Sequence, residues 1–146
     1  MTAPDVVLET HSGRTIALRD ADTRWTVLVF EPEPDHDRLR EIEALRTNFV
    51  AEDAALVVVA PTPLERSVPS VIDDGELAAA FGTAAGPATF VLDPRGTVHD
   101  AHHGTGGEYV ALALLQALRI GSPSLRLVEA ARAAHIASLD CVACAA

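Results

Sequence analysis

Two cysteines, Cys141 and Cys144, stand in the stretch Asp140-Cys141-Val142-Ala143-Cys144, and the chain has no others. A Cys-x-x-Cys pair has two chemistries open to it: reversible thiol–disulfide exchange, or ligation of a soft metal such as zinc or copper(I). Attack by sulfur requires thiolate, which is favoured at a helix N-terminus, where the dipole and free amides lower the thiol pKa. Cys141 instead follows a helical pattern and the acidic Asp140, so both influences oppose ionisation. This favours a resolving or shuttling dithiol, a soft-metal clip or a contact to another chain over a primary nucleophile. Two thiolates do not complete a zinc site, although a homodimer bridged through them could. Simple packing of two small side chains against the domain is the remaining alternative.

A second concentration of chemistry is Glu31-Pro32-Glu33-Pro34-Asp35-His36-Asp37. His36 could donate a proton, and Asp35, His36 and Asp37 are metal-ligand types, but adjacent residues rarely converge on one ion. Capping of a following helix by Asp35 or Asp37 is the simpler use. A third group is His99, His102 and His103; a two-residue period puts His99 and His103 on one strand face and His102 on the other. No fourth ligand stands at a suitable spacing. Gly104–Glu108 is glycine-rich ahead of a helix and could receive an anion, yet it lacks the Lys and spacing of a phosphate loop. Neither a resident metal nor an organic cofactor is therefore expected.

The elements that must position these residues follow from the hydrophobic pattern. Residues 5–20 read as a hairpin about His11-Ser12-Gly13-Arg14, with Ile16 and Leu18 alternating with polar neighbours. Trp25–Phe30 is an unbroken apolar run, as in a strand covered on both faces. Leu39, Ile42, Leu45 and Phe49 recur at three- and four-residue steps and predict an amphipathic helix over 37–50. Ala54–Pro61 is a second buried strand, which completes a right-handed strand–helix–strand crossover. An irregular connector with room for a strand over 68–72 leads to a short helix capped by Asp74 and stopped by Gly82. Strands over 89–92 and 97–101 flank an Asp93-Pro94-Arg95-Gly96 turn. A buried helix spans 106–121, and Ser122-Pro123 opens a last one with Leu125, Val128, Ala131, Ile136 and Leu139 on one face.

At 146 residues the chain makes one domain with a sizeable core; 49% of it is apolar but only 4% aromatic, so that core is mainly aliphatic. A formal charge of −10 argues against nucleic acid or an anionic membrane as partner. No segment approaches the ~20 apolar residues of a membrane span. The first residues lack a basic region followed by an apolar one, so no signal peptide is expected. The expected location is cytoplasmic, where a disulfide tends to be transient.

Two stretches carry a family resemblance. Residues 81–104, FGTAAGPATFVLDPRGTVHDAHHG, resemble thioredoxin-fold redoxins, in particular peroxiredoxins of the alkyl hydroperoxide reductase/thiol-specific antioxidant family and their relatives that mature cytochrome c. In many of those proteins a cis proline lining the active site precedes the -TFVID- strand; the resemblance gives that place to Pro87, with Thr89 behind it. Residues 25–49 are similar to the strand–loop–helix that carries the nucleophilic cysteine at the helix start, sometimes as Cys-x-x-Cys. Counting from Phe30 to Arg40-Glu41 puts those two positions on His36 and Leu39, and neither is a cysteine.

The resemblance covers most of residues 4–119. It implies a thioredoxin-like, peroxiredoxin-like α/β fold with a mixed central sheet flanked by helices. Residues 1–121 would form that domain, and residues 122–146 a C-terminal helix and Cys-x-x-Cys tail packed on it or extending from it. It further implies a binding region around His36, Asp37, Pro87 and Thr89, and thiol–disulfide chemistry moved to Cys141 and Cys144 with a protein thiol or reductant as partner. Ordinary peroxidase activity at the usual position is not expected. Two other readings stay open: a non-catalytic module that binds a protein or small ligand, and a metal-handling protein that uses the tail.

Overall fold

The computed structural model describes residues 2–19, 24–83 and 86–119. The helix expected from Ser122, and with it Cys141 and Cys144, lies outside the described residues. In chain order the elements are β1 (Val7–Glu9), β2 (Thr15–Ala17), β3 (Trp25–Phe30), α1 (His36–Ala51), β4 (Ala54–Ala60), β5 (Ser70–Ile72), α2 (Glu76–Ala80), β6 (Ala88–Leu92), β7 (Val98–His103) and α3 (Gly107–Arg119). Among the described residues no helix is long and apolar enough to cross a membrane.

The continuous apolar runs become the centre of a five-stranded sheet in the order β5-β4-β3-β6-β7. β3 pairs in parallel with β4, and β4 with β5, while β6 and β7 run antiparallel to their neighbours. β1 and β2 form a separate two-stranded ribbon, in the register Val7 to Ala17 and Glu9 to Thr15. This is the expected mixed sheet flanked by helices, with the short strand β5 realised at its edge.

Both faces of the sheet are covered, as its central sequences require. One core cluster joins Leu28, Phe30, Val57, Val59, Phe90 and Leu92 to Leu8 and Leu18 of the ribbon segment and to Leu77 and Phe81. The other joins Val27, Val29, Val58 and Val91 to Leu39, Ile42 and Phe49 of α1 and to Ala111, Leu114 and Leu115 of α3. The few aromatic residues concentrate in the first cluster: Phe90 meets Phe81 at a centroid distance of 4.9 Å and Phe30 at 5.6 Å, edge-on. Such tilted contacts suit the ring quadrupole.

Local chemistry ends the elements. The Asp35 side chain accepts the Arg38 amide at 2.8 Å and caps α1. At α2 the amides of Leu77 and Ala78 go to Asp73, at 2.9 and 3.1 Å, rather than to the expected Asp74, which accepts only from Glu76. In the β6–β7 turn Asp93 accepts the amides of Arg95 and Thr97. Gly96 has φ 86°, and a Cβ there would stand 2.8 Å from the Leu18 carbonyl oxygen, so both conformation and space demand glycine.

Phe90→Ala, which empties the centre of the aromatic cluster, is expected to lower the unfolding free energy by about 3–5 kcal/mol in urea titrations. A loss below about 1 kcal/mol would contradict this account of the core.

Candidate functional site

The sheet brings one set of chain segments to a single end. Phe30 pairs with Ala88, and Ala88 with His103, so the carboxyl ends of β3 and β7 and the start of β6 lie side by side. Backbone bonds extend this row beyond the strands: Gly104 N donates to Pro87 O at 2.7 Å and Glu31 N to Val59 O at 2.9 Å. The first turns of α1 and α3 rise from the same end. In open α/β sheets the crevice beyond the strand carboxyl ends is where ligands are bound.

A buried ion cluster fills this end. Arg38, on the first turn of α1, donates through Nη1 and Nη2 to the two carboxylate oxygens of Glu108 at the start of α3, the second bond being 2.6 Å. Its Nε donates to Glu31, just past β3, at 3.0 Å, and Nη1 also reaches Glu41 at 3.4 Å on the solvent side. The side chain of Arg38 is 10% exposed, that of Glu31 4% and that of Glu108 0%. The planar guanidinium fork matches a carboxylate in two parallel bonds, which a lysine could not do.

Two carboxylates thus meet one guanidinium out of water, which leaves one negative charge in excess. Burial is the main cause that pushes the Glu31 carboxyl above its ordinary range; Arg38 pulls the other way, and the charges of Glu108 and Asp35 add to the rise. Burial alone would lower the Arg38 pKa, but the hydrogen bonds and charges of Glu108 and Glu31 outweigh it and raise it. Tyr109 is pushed up by burial, and then by the charges of Glu41 and Glu108.

The other residues singled out from the sequence are distributed around this cluster. His36 opens α1 on the surface, and the Arg66 guanidinium donates to its Nδ1. Asp37 is almost fully exposed, 4.0 Å from Arg40. Pro87 precedes β6 through an ordinary trans bond, not the cis form common in the resembling families; extended backbone running straight into a strand is the lower-energy geometry. Thr89 is 2% exposed, and its Oγ1 has no hydrogen-bond partner among the described residues. A Cβ on Gly107 would stand 2.5 Å from that hydroxyl, so the start of α3 closes directly over it.

The two positions that the resemblance points to, His36 and Leu39, are the first residue of α1 and a residue one turn further on. Asp35 is the N-cap, and Leu39 is packed in the core at 7% exposure. The histidine face expected on β7 fails, because the strand bulges between its pairings to Val91 and Leu92. His99 turns to Trp25, with centroids 4.9 Å apart, and to Asp93 at 2.8 Å, while His103 meets Phe90 on the opposite face. An extra residue in one strand reverses the alternation beyond it. No group of three or more His, Cys, Asp or Glu able to hold a metal occurs among the described residues.

Sequence reasoning passed over Arg38, and named Glu31 and Glu108 only as members of an acidic stretch and a glycine-rich segment. Glu108 did carry a signal: it is the acid that opens an otherwise apolar helix, EYVALALLQAL. A hollow of about 180 Å³ at the same end of the sheet is lined by Phe30, Pro32, Pro61, Ala78 and Gly86 among others.

No protein-family model matches the chain. Thioredoxin-like protein YneN of Bacillus subtilis is 29% identical over 120 residues, spanning 70% of each chain. Among solved structures, peroxidoxin BcpB of Mycobacterium tuberculosis superposes with a TM-score of 0.66 at 22% identity, over 82% of this chain and 96% of that one. Peroxiredoxin Q of Xanthomonas campestris gives 0.61 at 23% identity over the same shares. A thiol-disulfide oxidoreductase of Bacteroides fragilis gives 0.56 at 17% identity, over 71% of this chain and 91% of the other.

The raised Glu31 pKa has a definite sign. From the ordinary value of 4.5 up to the higher folded value, the native state binds more protons than the unfolded chain, so this group's contribution falls as pH rises through that window. Urea unfolding across it should show a shallower fall with pH in Glu31→Gln than in the unaltered chain; equal slopes would refute the assignment. Arg38→Leu strands two buried carboxylates and should cost about 3–5 kcal/mol near neutral pH in the same titrations.

Proposed function

With the thioredoxin-like fold as premise, we propose that this chain is a redoxin working in thiol–disulfide exchange through Cys141 and Cys144. The observation that carries the reading is that the chain's only two thiols form a Cys-x-x-Cys pair. The start of α1 supplies no sulfur: Asp35 caps the helix, and the position one turn on is held by Arg38. An acid cap next to Glu31 and Glu108 would also repel a thiolate, which is consistent with sulfur chemistry carried elsewhere on the chain.

The reaction balances as a two-electron exchange. Cys141 and Cys144 give up two protons and two electrons as their S–S bond forms, and a partner protein disulfide takes them up as two thiols. The reverse direction uses a cytoplasmic dithiol reductant. His36, Asp37 and Pro87, at the carboxyl end of the sheet, border the region where the partner segment would lie, with the backbone beside Pro87 as its edge and the buried Thr89 supporting it from beneath.

A second reading is favoured by the occupied ion cluster itself. A module with an ion cluster and no sulfur at this end of the sheet would bind without chemistry, using the hollow beside Phe30 and Gly86.

One experiment separates them. After mild diamide oxidation, alkylation and mass analysis should find a Cys141–Cys144 disulfide, reversed by dithiothreitol, and disulfide-reductase activity should vanish in Cys141→Ser. No bond and no activity in the unaltered chain would leave the binding module as the surviving reading.

A further inference from the structure

A cavity of about 630 Å³ lies at the opposite end of the sheet from the ion cluster. Its walls are the β1–β2 ribbon, the first residues of β3 and β4, and the last turns of α1. Its volume falls within the range of small-molecule sites, roughly 300–1,000 Å³. The apolar part of the lining includes Val7, Ile16, Val50 and Leu56; Val7 and Val50, on elements that cover the two faces of the sheet, are each 65% exposed.

The charge of the lining sets it apart. The chain carries 21 acidic and 11 basic side chains, yet Arg14, Arg24 and Arg46 all line this one cavity. Asp53 is the one acid among the described lining residues, and it lies 3.7 Å from Arg24. Three guanidinium groups against one carboxylate give the cavity a surplus of two positive charges in a strongly negative molecule. Guanidinium forks recognise carboxylates bidentately, and field lines focus in a cleft with low-dielectric walls.

We propose that this cavity is a binding site for a free organic monoanion with an apolar tail, of the fatty-carboxylate class. The carboxylate is held by Arg14 and Arg24, and the hydrocarbon lies against Val7, Ile16 and Val50. Arg46 is partly committed, since its Nη1 donates to the Ser67 carbonyl at 3.0 Å. The side chain of Arg14 has no hydrogen bond or ion pair among the described residues, so it is the cation freest to take the headgroup. The site shares no residue with the ion cluster or with the cysteines, so it stands or falls apart from the thiol reading.

Calorimetric titration of the full chain with decanoate tests it, with decanol as the uncharged counterpart. Decanoate should bind saturably at one molecule per chain. Replacing both Arg14 and Arg24 by Gln should weaken decanoate about tenfold while leaving decanol unchanged, the signature of charge-assisted hydrogen bonds to the headgroup. Val50→Glu should weaken both ligands. All three side chains are exposed, and unaltered circular dichroism would establish that the variants fold. Absence of saturable decanoate binding overturns the proposal, and so does binding that none of these substitutions changes.

Discussion

One guanidinium buried between two carboxylates ties the working end of this molecule together. Arg38 reaches from α1 to the end of β3 through Glu31 and to the start of α3 through Glu108, so two neighbouring segments and one seventy residues on share one charge centre. Removing such ions from water costs several kcal/mol each, and only close, multiply bonded geometry offsets it. A well-packed apolar trio could be as stable. What the ions add is direction: the fork of Arg38 accepts its partners in one orientation only, which fixes the two helix starts relative to each other.

The sheet is what allows that arrangement to stand. Phe30, Ala88 and His103 align across β3, β6 and β7, and the residues immediately beyond them supply Glu31, Pro87 and the loop leading to Glu108. With both faces covered by packed side chains, the row cannot tilt without disturbing two cores. Thr89 marks how tightly the end is closed. Its hydroxyl lies beneath Gly107 without a partner among the described residues, a cost accepted where backbone and strand meet at contact distance.

The readable part of the fold was the part governed by local pattern. Trp25–Phe30, Ala54–Ala60 and the Leu39, Ile42, Phe49 stripe announce their elements through apolar continuity and period, and the structure follows them within a residue or so. Long-range pairing leaves no such trace. Nothing beside Arg38 distinguishes it from Arg40, which is two-thirds exposed; only the contact with Glu108, seventy residues on, makes the difference. The bulge at His99 was hidden for a related reason, since it depends on how β7 is paired to β6 and not on β7's own composition. The cap at Asp35 was among the alternatives the sequence offered, and its bond to the Arg38 amide decides between them.

The β1–β2 ribbon carries a consequence for motion. It joins no ladder of the main sheet and is fastened by scattered bonds, among them His11 N to Ser70 O at 3.0 Å and Ala3 N to Gly96 O at 2.7 Å. Three residue pairs make up its own ladder. Segments held by so few backbone bonds open in sub-global fluctuations at a fraction of the free energy of complete unfolding. The ribbon is therefore expected to open ahead of the parallel strands, so that amides beneath it exchange with solvent sooner than those at the centre of the sheet.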